Sequence, residues 1–379
     1  MTKFINNENI IDHSKQSKRL IFIDLMRAYA ILMMVQGHTV DTVLDPIYRD
    51  NNNIIYFLWN FFRGITAPVF FFSSGAIFSY LLLRKIELPY WKNERVFKGF
   101  RRVLFLLFIG YLLRFNIGII KNIHNLDFFS FKSSFAVDAL HCIAIGLLFL
   151  LLLFGLYKLI KIPVWLSYPL MGAILFFLYP LFYNTNWLYY FPLPIANYFS
   201  ADYGSNFPII PWTGFVMFGG FYGYLLSKPA GLAYNISFSF GTIIFGLILV
   251  LFSGVILGTM YNITGINDFI FLQHHNFQFF HLGNVLIICG LLSIISNKYP
   301  IPEFLSNVGK KTMMIYIVHI FVIYGTGINH GFRYYIGNSL PPFQTAILAI
   351  IMVIFFIVLA QYTTEFKNFF ISLFKRTKS

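Results

Sequence analysis

Long apolar runs recur from residue 20 to residue 363 and constrain this chain more than any other feature. In a bilayer every backbone N–H and C=O has to be satisfied within its own segment, so such runs are read as α-helices. About ten of them are long enough to cross a hydrocarbon core, allowing for tilt. Their expected bounds are 20–38, 66–83, 102–116, 138–157, 163–183, 209–227, 237–259, 280–297, 311–327 and 343–363. Hydrophobic residues make up 58% of the chain and charged residues 11%, and mean hydropathy is +0.70, well outside the soluble range. The expected fold is an all-α polytopic membrane protein: a segment 1–19, one membrane domain over 20–366 and a basic tail over 367–379. No soluble domain, low-complexity tract or internal repeat stands out.

The formal net charge of +14 is explained by where it lies. Lys3, Lys15, Lys18 and Arg19 precede the first run, and a basic block from Arg84 to Arg102 follows the second. Lys158 and Lys161, Lys228, Lys298 with Lys310 and Lys311, and the cluster from Lys367 complete the series. These groups occupy every second connection and both ends, while the alternate connections hold few basic residues: Arg49, Arg63, Lys121, Lys132 and Arg333. Lys and Arg collect on the cytoplasmic side of a membrane protein. Both termini are therefore expected in the cytoplasm, and the surplus charge is topology, not a nucleic-acid footprint. No cleavable leader is expected, because the first run carries Asp24 and Arg27 and lacks a small-residue site after it. Cys142 and Cys289 both lie in apolar runs, which argues against a disulfide framework. His274, His275 and His281 match no ligand spacing, so no metal is expected.

The first run holds a polar stripe, Asp24, Arg27 and His38. At 100° per residue an eleven-residue step returns to within roughly 20° of the same face, so Arg27 and His38 point one way, about 16 Å apart. Asp24, one turn before Arg27, is placed to pair with it. Ionisable groups in a membrane usually face a polar cavity, and one cavity shared by Arg27 and His38 is the expectation. The bland alternative is an ion pair made for folding and a histidine capping the outer end.

Other polar groups carry two readings each. His319 lines a donor tunnel or hydrogen-bonds Tyr316. Asp138 and His141, three residues apart on one helix face, bind acceptor or serve the helix start, where an aspartate has its own reason to be. Trp212 shapes a cavity wall or simply packs. Residues 54–62 read as an interfacial helix feeding the second span. The aromatic loop 184–208, with Trp187, Tyr189, Tyr190 and Tyr203, reads as an interfacial belt, with a sugar-stacking platform as the alternative.

The spacing from Arg27 to His38 resembles the signature of the acyltransferase-3 group of membrane enzymes. Further segments resemble the neighbouring heparan-α-glucosaminide N-acetyltransferase-like branch of the same transmembrane acyltransferase superfamily. They are Ile23-Asp24-Leu25-Met26-Arg27-Ala28, the stretch Arg63-Gly64-Ile65-Thr66-Ala67-Pro68 running on to Gly75, and Asp138-Ala139-Leu140-His141-Cys142 to Gly146. Phe207-Pro208-Ile209-Ile210-Pro211-Trp212 follows, then Val308-Gly309-Lys310-Lys311-Thr312 running to Tyr316 and His319. The outer loops match no acceptor-specific pattern.

The resemblance implies transfer of an acyl group, acetyl foremost, from cytoplasmic acyl-CoA to a hydroxyl or amine of a glycan or glycan-lipid on the opposite face. It implies no tightly bound cofactor, acyl-CoA being a substrate. Residues in the matching segments then take roles: His38, Arg27 and Asp24 in catalysis; Arg27, His319 and Tyr316 toward the donor; Arg63, Asp138, His141 and Trp212 toward the acceptor. The assignment of His38 rests on the acyltransferase-3 spacing. The chemistry is open to these residues in any case, since a neutral imidazole suits proton removal near pH 7. A secondary transporter or flippase using the same polar cavity is the rival reading. The expected setting is a bacterial inner membrane, with membrane lipid as neighbour and a homodimer left open.

Overall fold

A computed structural model describes residues 20–115, 134–228, 232–270, 277–326 and 329–376, with side chains to residue 363. Segment 1–19, Lys121, Lys132, His274 and His275 lie outside the described residues. Every regular element described is helical. The principal ones are α1 (Ile21–Val43), α2 (Ile54–Leu83), α3 (Glu94–Arg114), α4 (Ala139–Ile160), α5 (Val164–Phe177) and α6 (Ile209–Ser227). After them come α7 (Ile236–Thr264), α8 (Gln278–Lys298), α9 (Glu303–Lys310), α10 (Thr312–His319), α11 (Phe332–Tyr335) and α12 (Pro342–Arg376).

Six of these are long and apolar enough to cross a membrane: α2, α4, α6, α7, α8 and the Pro342–Thr363 part of α12. Val164–Phe177 and Thr312–Tyr324 are apolar but shorter. The other two expected spans coincide with α1 and α3, whose length suffices but which carry several charges each. The protein is thus an all-helical chain with several apolar helices suited to a bilayer.

Several expected bounds shift, each for a local reason. The interfacial helix expected at 54–62 is not a separate element: it is the first part of the continuous 30-residue α2. Asn53 starts that helix by accepting from the Ile55 and Tyr56 amides, and Pro68 sits inside it without ending it. The third helix begins at Glu94, eight residues before its expected bound, because Asn93 caps it through the Arg95 amide. The fifth span stops at Phe177, and Pro180 lies in a separate short helix, Tyr179–Tyr183. The last helix runs on to Arg376 with no break at 367.

The ninth span departs most. It begins as α10 just after α9 ends at Lys310, and after His319 the chain winds as a π-turn over Ile320–Tyr324, closed by Gly325 at φ 76°. The Gly325 amide donates to the Ile320 carbonyl five residues back at 3.0 Å, the wider winding of a π-helix.

α1 lies at the centre, packed against α2, α8, α9, α10 and α12. Membrane helices gain nothing by hiding apolar surface from lipid, so close backbone approach has to hold them together. The tightest crossing is α2 against α6. A Cβ at Gly75, Gly219 or Gly223 would run into the backbone carbonyl of Val216, Phe72 or Ala76 respectively. α7 meets α8 in the same manner, where a Cβ on Gly246 would lie 2.6 Å from the Gly283 carbonyl oxygen. The rest of α7 faces outward and is mostly unburied.

Candidate active site

His38 sits near the C-terminal end of α1 and is held by two rings from the broken ninth span. Its imidazole stacks on His319 with centroids 5.5 Å apart and planes 11° apart. Tyr324 meets it edge-on at 5.4 Å, and the Tyr324 hydroxyl is 2.7 Å from His38 Nδ1. His319 Nδ1 lies 3.2 Å from the Ile315 carbonyl oxygen. A carbonyl only accepts, so that nitrogen carries the proton and His319 Nε2 keeps its lone pair. Tyr316 packs edge-on against His319 at 5.2 Å.

These groups open onto a cavity of about 720 Å³. Two ion pairs stand in its wall. Arg63 of α2 pairs with Asp41, one turn beyond His38 on α1, and its guanidinium lies 5.5 Å over the Trp59 ring. Gly37 leaves space for the arm, since a Cβ there would lie 3.3 Å from Arg63 Cγ. Arg114, the last residue of α3, pairs with Asp138 at 3.2 Å. Asp138 also caps α4, its Oδ1 accepting from the Ala139 amide at 3.0 Å. The Tyr316 side chain lies beside the Asp138 carboxylate. Trp212 belongs to the wall as well and packs edge-on against Phe71, Phe207 and Phe277.

His141 is not on the cavity wall. Its Nδ1 accepts from the Asp138 amide at 3.1 Å, completing a capping box. The ring is fully buried, with Tyr111 edge-on at 4.3 Å and Gly110 tight against it. The structure therefore gives the helix-start role to both Asp138 and His141, and exposes only Asp138 to the cavity.

Arg27 is placed elsewhere. It lines a second, much smaller void of about 20 Å³, together with Ser74, Arg102 and Thr312. Its Nη2 donates to Thr312 Oγ1 at 2.6 Å. Phe70 and Tyr316 border both voids. The single cavity expected for Arg27 and His38 is therefore corrected to two chambers. The shared helix face is as the eleven-residue step requires, but the two residues line different voids, with Phe70 and Tyr316 common to both. Asp24 is buried against the Gly309 backbone and lines neither chamber.

Asp41, Arg114, Tyr324 and Arg333 also belong to the cavity wall, and sequence reasoning did not single them out. The His38-x-x-Asp41 spacing, one helical turn, was a signal for the first. Tyr324 left none: on regular α-winding it would stand about 140° around from His319, and the π-turn brings it to the same ring. Among the described residues no group of three or more His, Cys, Asp or Glu side chains is placed to hold a metal ion.

A family profile described as heparan-alpha-glucosaminide N-acetyltransferase, catalytic, matches residues 19–244. The chain belongs to this family. Membership makes it a membrane acyltransferase of the carbohydrate-modifying kind. The family match covers α1 to the start of α7, and with them His38, Arg63, Arg114, Asp138 and Trp212. His319, Tyr324 and Arg333 come from beyond the matched stretch and complete the same cavity. No curated protein and no solved structure matches the chain.

Proposed function

We propose that the chain moves an acyl group, acetyl foremost, from cytoplasmic acyl-CoA to a hydroxyl or amine of a glycan or glycan-lipid on the opposite face of a bacterial inner membrane, with His38 as the base. One observation carries the reading: an imidazole hydrogen-bonded through Nδ1 to Tyr324 at the wall of a cavity of about 720 Å³ that also holds two ion pairs. With Nδ1–H donating to the Tyr324 oxygen, Nε2 is left free to take the acceptor's proton. The acceptor oxygen or nitrogen then bonds to the thioester carbonyl carbon. As the tetrahedral adduct collapses, the C–S bond breaks and the imidazolium returns its proton to the CoA thiolate. Arg27 and Arg102, on the far side of Phe70 and Tyr316, suit the anionic donor better than the acceptor. The eleven-residue interval supports the kinship with the acyltransferase-3 group. The family match favours transfer over transport, and nothing in the site favours the transporter reading.

The test uses purified protein in proteoliposomes with radiolabelled acetyl-CoA and a membrane-glycan extract as acceptor. Label is expected on the acceptor, and His38→Ala is expected to lower the rate on the order of 10²–10⁴-fold while the protein stays folded in detergent. Unaltered turnover in a folded His38→Ala protein refutes the assignment. We favour direct attack over an acyl-histidine relay, because a route open from both sides lets donor and acceptor meet without a labile intermediate. Stoichiometric label on His38 without acceptor, chased to acceptor at the turnover rate, reverses that preference.

A further inference from the structure

His38 has a second hydrogen-bonded neighbour, joined to it through the backbone and with no part in the transfer chemistry itself. One turn further along α1, Thr42 is buried, and its hydroxyl donates to the His38 carbonyl at 2.7 Å. A carbonyl oxygen only accepts, so the single proton of Thr42 is committed to that bond. Thr42 Oγ1 then has lone pairs alone to offer any other partner. The Thr42 side chain also lies within hydrogen-bonding reach of the Tyr324 hydroxyl, the same hydroxyl that is 2.7 Å from His38 Nδ1.

The contact between Tyr324 and Nδ1 fits either tautomer by itself, but Thr42 removes the freedom. A hydroxyl has one proton to give. Between Tyr324 and Thr42 only Tyr324 has one to spare, so Tyr324 donates there. Having spent its proton, Tyr324 accepts from His38, and the proton of that bond belongs to Nδ1. The bonds run one way round a closed circuit, from the ring to Tyr324, on to Thr42 and back to the carbonyl of the same histidine. In the reverse arrangement Tyr324 donates to a bare Nδ1. Its oxygen then faces that of a buried threonine with no proton between them, where an unmade hydrogen bond is expensive. The π-turn delivers the middle member of the circuit, and such turns are frequent at functional sites.

We propose that Thr42 is a positioning residue that fixes the tautomer of His38: acting through Tyr324, it keeps the proton on Nδ1 and the lone pair of Nε2 free. Thr42 is not among the residues that line the cavity, so it works without touching either substrate. The tautomer is a property of His38 itself; its catalytic consequence rests on the reading of His38 as the base.

The test joins nitrogen NMR to kinetics, on full-length protein carrying isotope-labelled histidine in lipid bilayers. The His38 signals are the ones lost in His38→Ala. With the ring neutral they are expected to report a protonated Nδ1 and a bare Nε2. This reading needs no variant at Thr42, so it decides even if such a variant does not fold. Thr42→Val keeps the shape of the side chain without its hydroxyl. It is expected to let the proton move to Nε2 and to lower kcat about tenfold, the worth of one hydrogen bond, with the KM for donor unchanged. Thr42→Ser is expected to match the wild type in both readings. On a Tyr324→Phe background, Thr42→Val is expected to cost no further rate, because the circuit is already open. A protonated Nε2 in the wild type, or a tautomer that Thr42→Val leaves unmoved, overturns the proposal. So does an equal loss of rate on both backgrounds, as a purely structural threonine would give, or an unchanged kcat in Thr42→Val beside an inactive His38→Ala. The expected tautomers together with full turnover in His38→Ala refute the base assignment and leave the circuit standing.

Discussion

The hydrogen bond between His38 Nδ1 and the Tyr324 hydroxyl occupies one imidazole nitrogen and sets the orientation of the ring. Both tautomers satisfy the 2.7 Å contact, since a phenol donates or accepts equally well. Only the one with the proton on Nδ1 leaves Nε2 basic. Removing the hydroxyl takes away that tether and lets the ring turn. Tyr324→Phe keeps the edge-on ring packing and is expected to lower kcat about tenfold, the worth of one ordinary hydrogen bond, with the KM for donor unchanged. Steady-state kinetics with saturating acceptor reads this directly; an unchanged kcat means the hydroxyl does not orient the base. At this scale the sequence speaks unevenly. Arg27 and His38 are legible because an eleven-residue interval has a geometric meaning on any regular helix. Arg114 and Arg333 are not, because each enters the cavity only through tertiary contacts with Asp138 and with the π-turn.

Among the elements, α2 and α6 bear most directly on the site, because their crossing holds Phe70, Phe71 and Trp212 where they line the cavity. A methyl group at Gly219 would strike the Phe72 carbonyl and come within 2.9 Å of its Cα. Backbone cannot swing aside as a side chain can, so the helices have to part. Gly219→Ala is expected to cost about 1–3 kcal/mol, the usual penalty of overpacking, and to depress transfer through the displaced wall. Gly241 on the outward-facing α7 has nothing within 4 Å of its would-be Cβ. Gly241→Ala should be neutral or slightly stabilising, as alanine favours a helix over glycine. Thermal unfolding of both variants in one detergent compares them, and equal midpoints would refute the argument. Helices of this kind are legible from their apolar runs, and α2, α3 and α7 carry asparagine caps as well. The junction at His319 is not legible, since π-winding changes hydrogen-bond partners without changing composition.

For the whole molecule, the alternating basic clusters call for both ends of the chain and the Arg84–Arg102 connection on one side of the membrane. The aromatic connection 184–208 then belongs on the other. Asn93 is a poor probe of this, being buried and bonded to the Leu82 and Lys85 carbonyls. Lys92 and Asn186 are exposed. Lys92→Cys and Asn186→Cys are expected to react with a membrane-impermeant maleimide from opposite sides of sealed vesicles; labelling of both from one side refutes the topology. Phe70 and Tyr316 acquire a second meaning in that frame. An energised membrane is a charged capacitor, in which one elementary charge crossing 100 mV releases about 2.3 kcal/mol. An unbroken file of arginine, water and histidine from face to face would let protons run down that voltage. Phe70 and Tyr316, standing at the border of both voids, are the side chains that would have to interrupt such a file for the voltage to be kept.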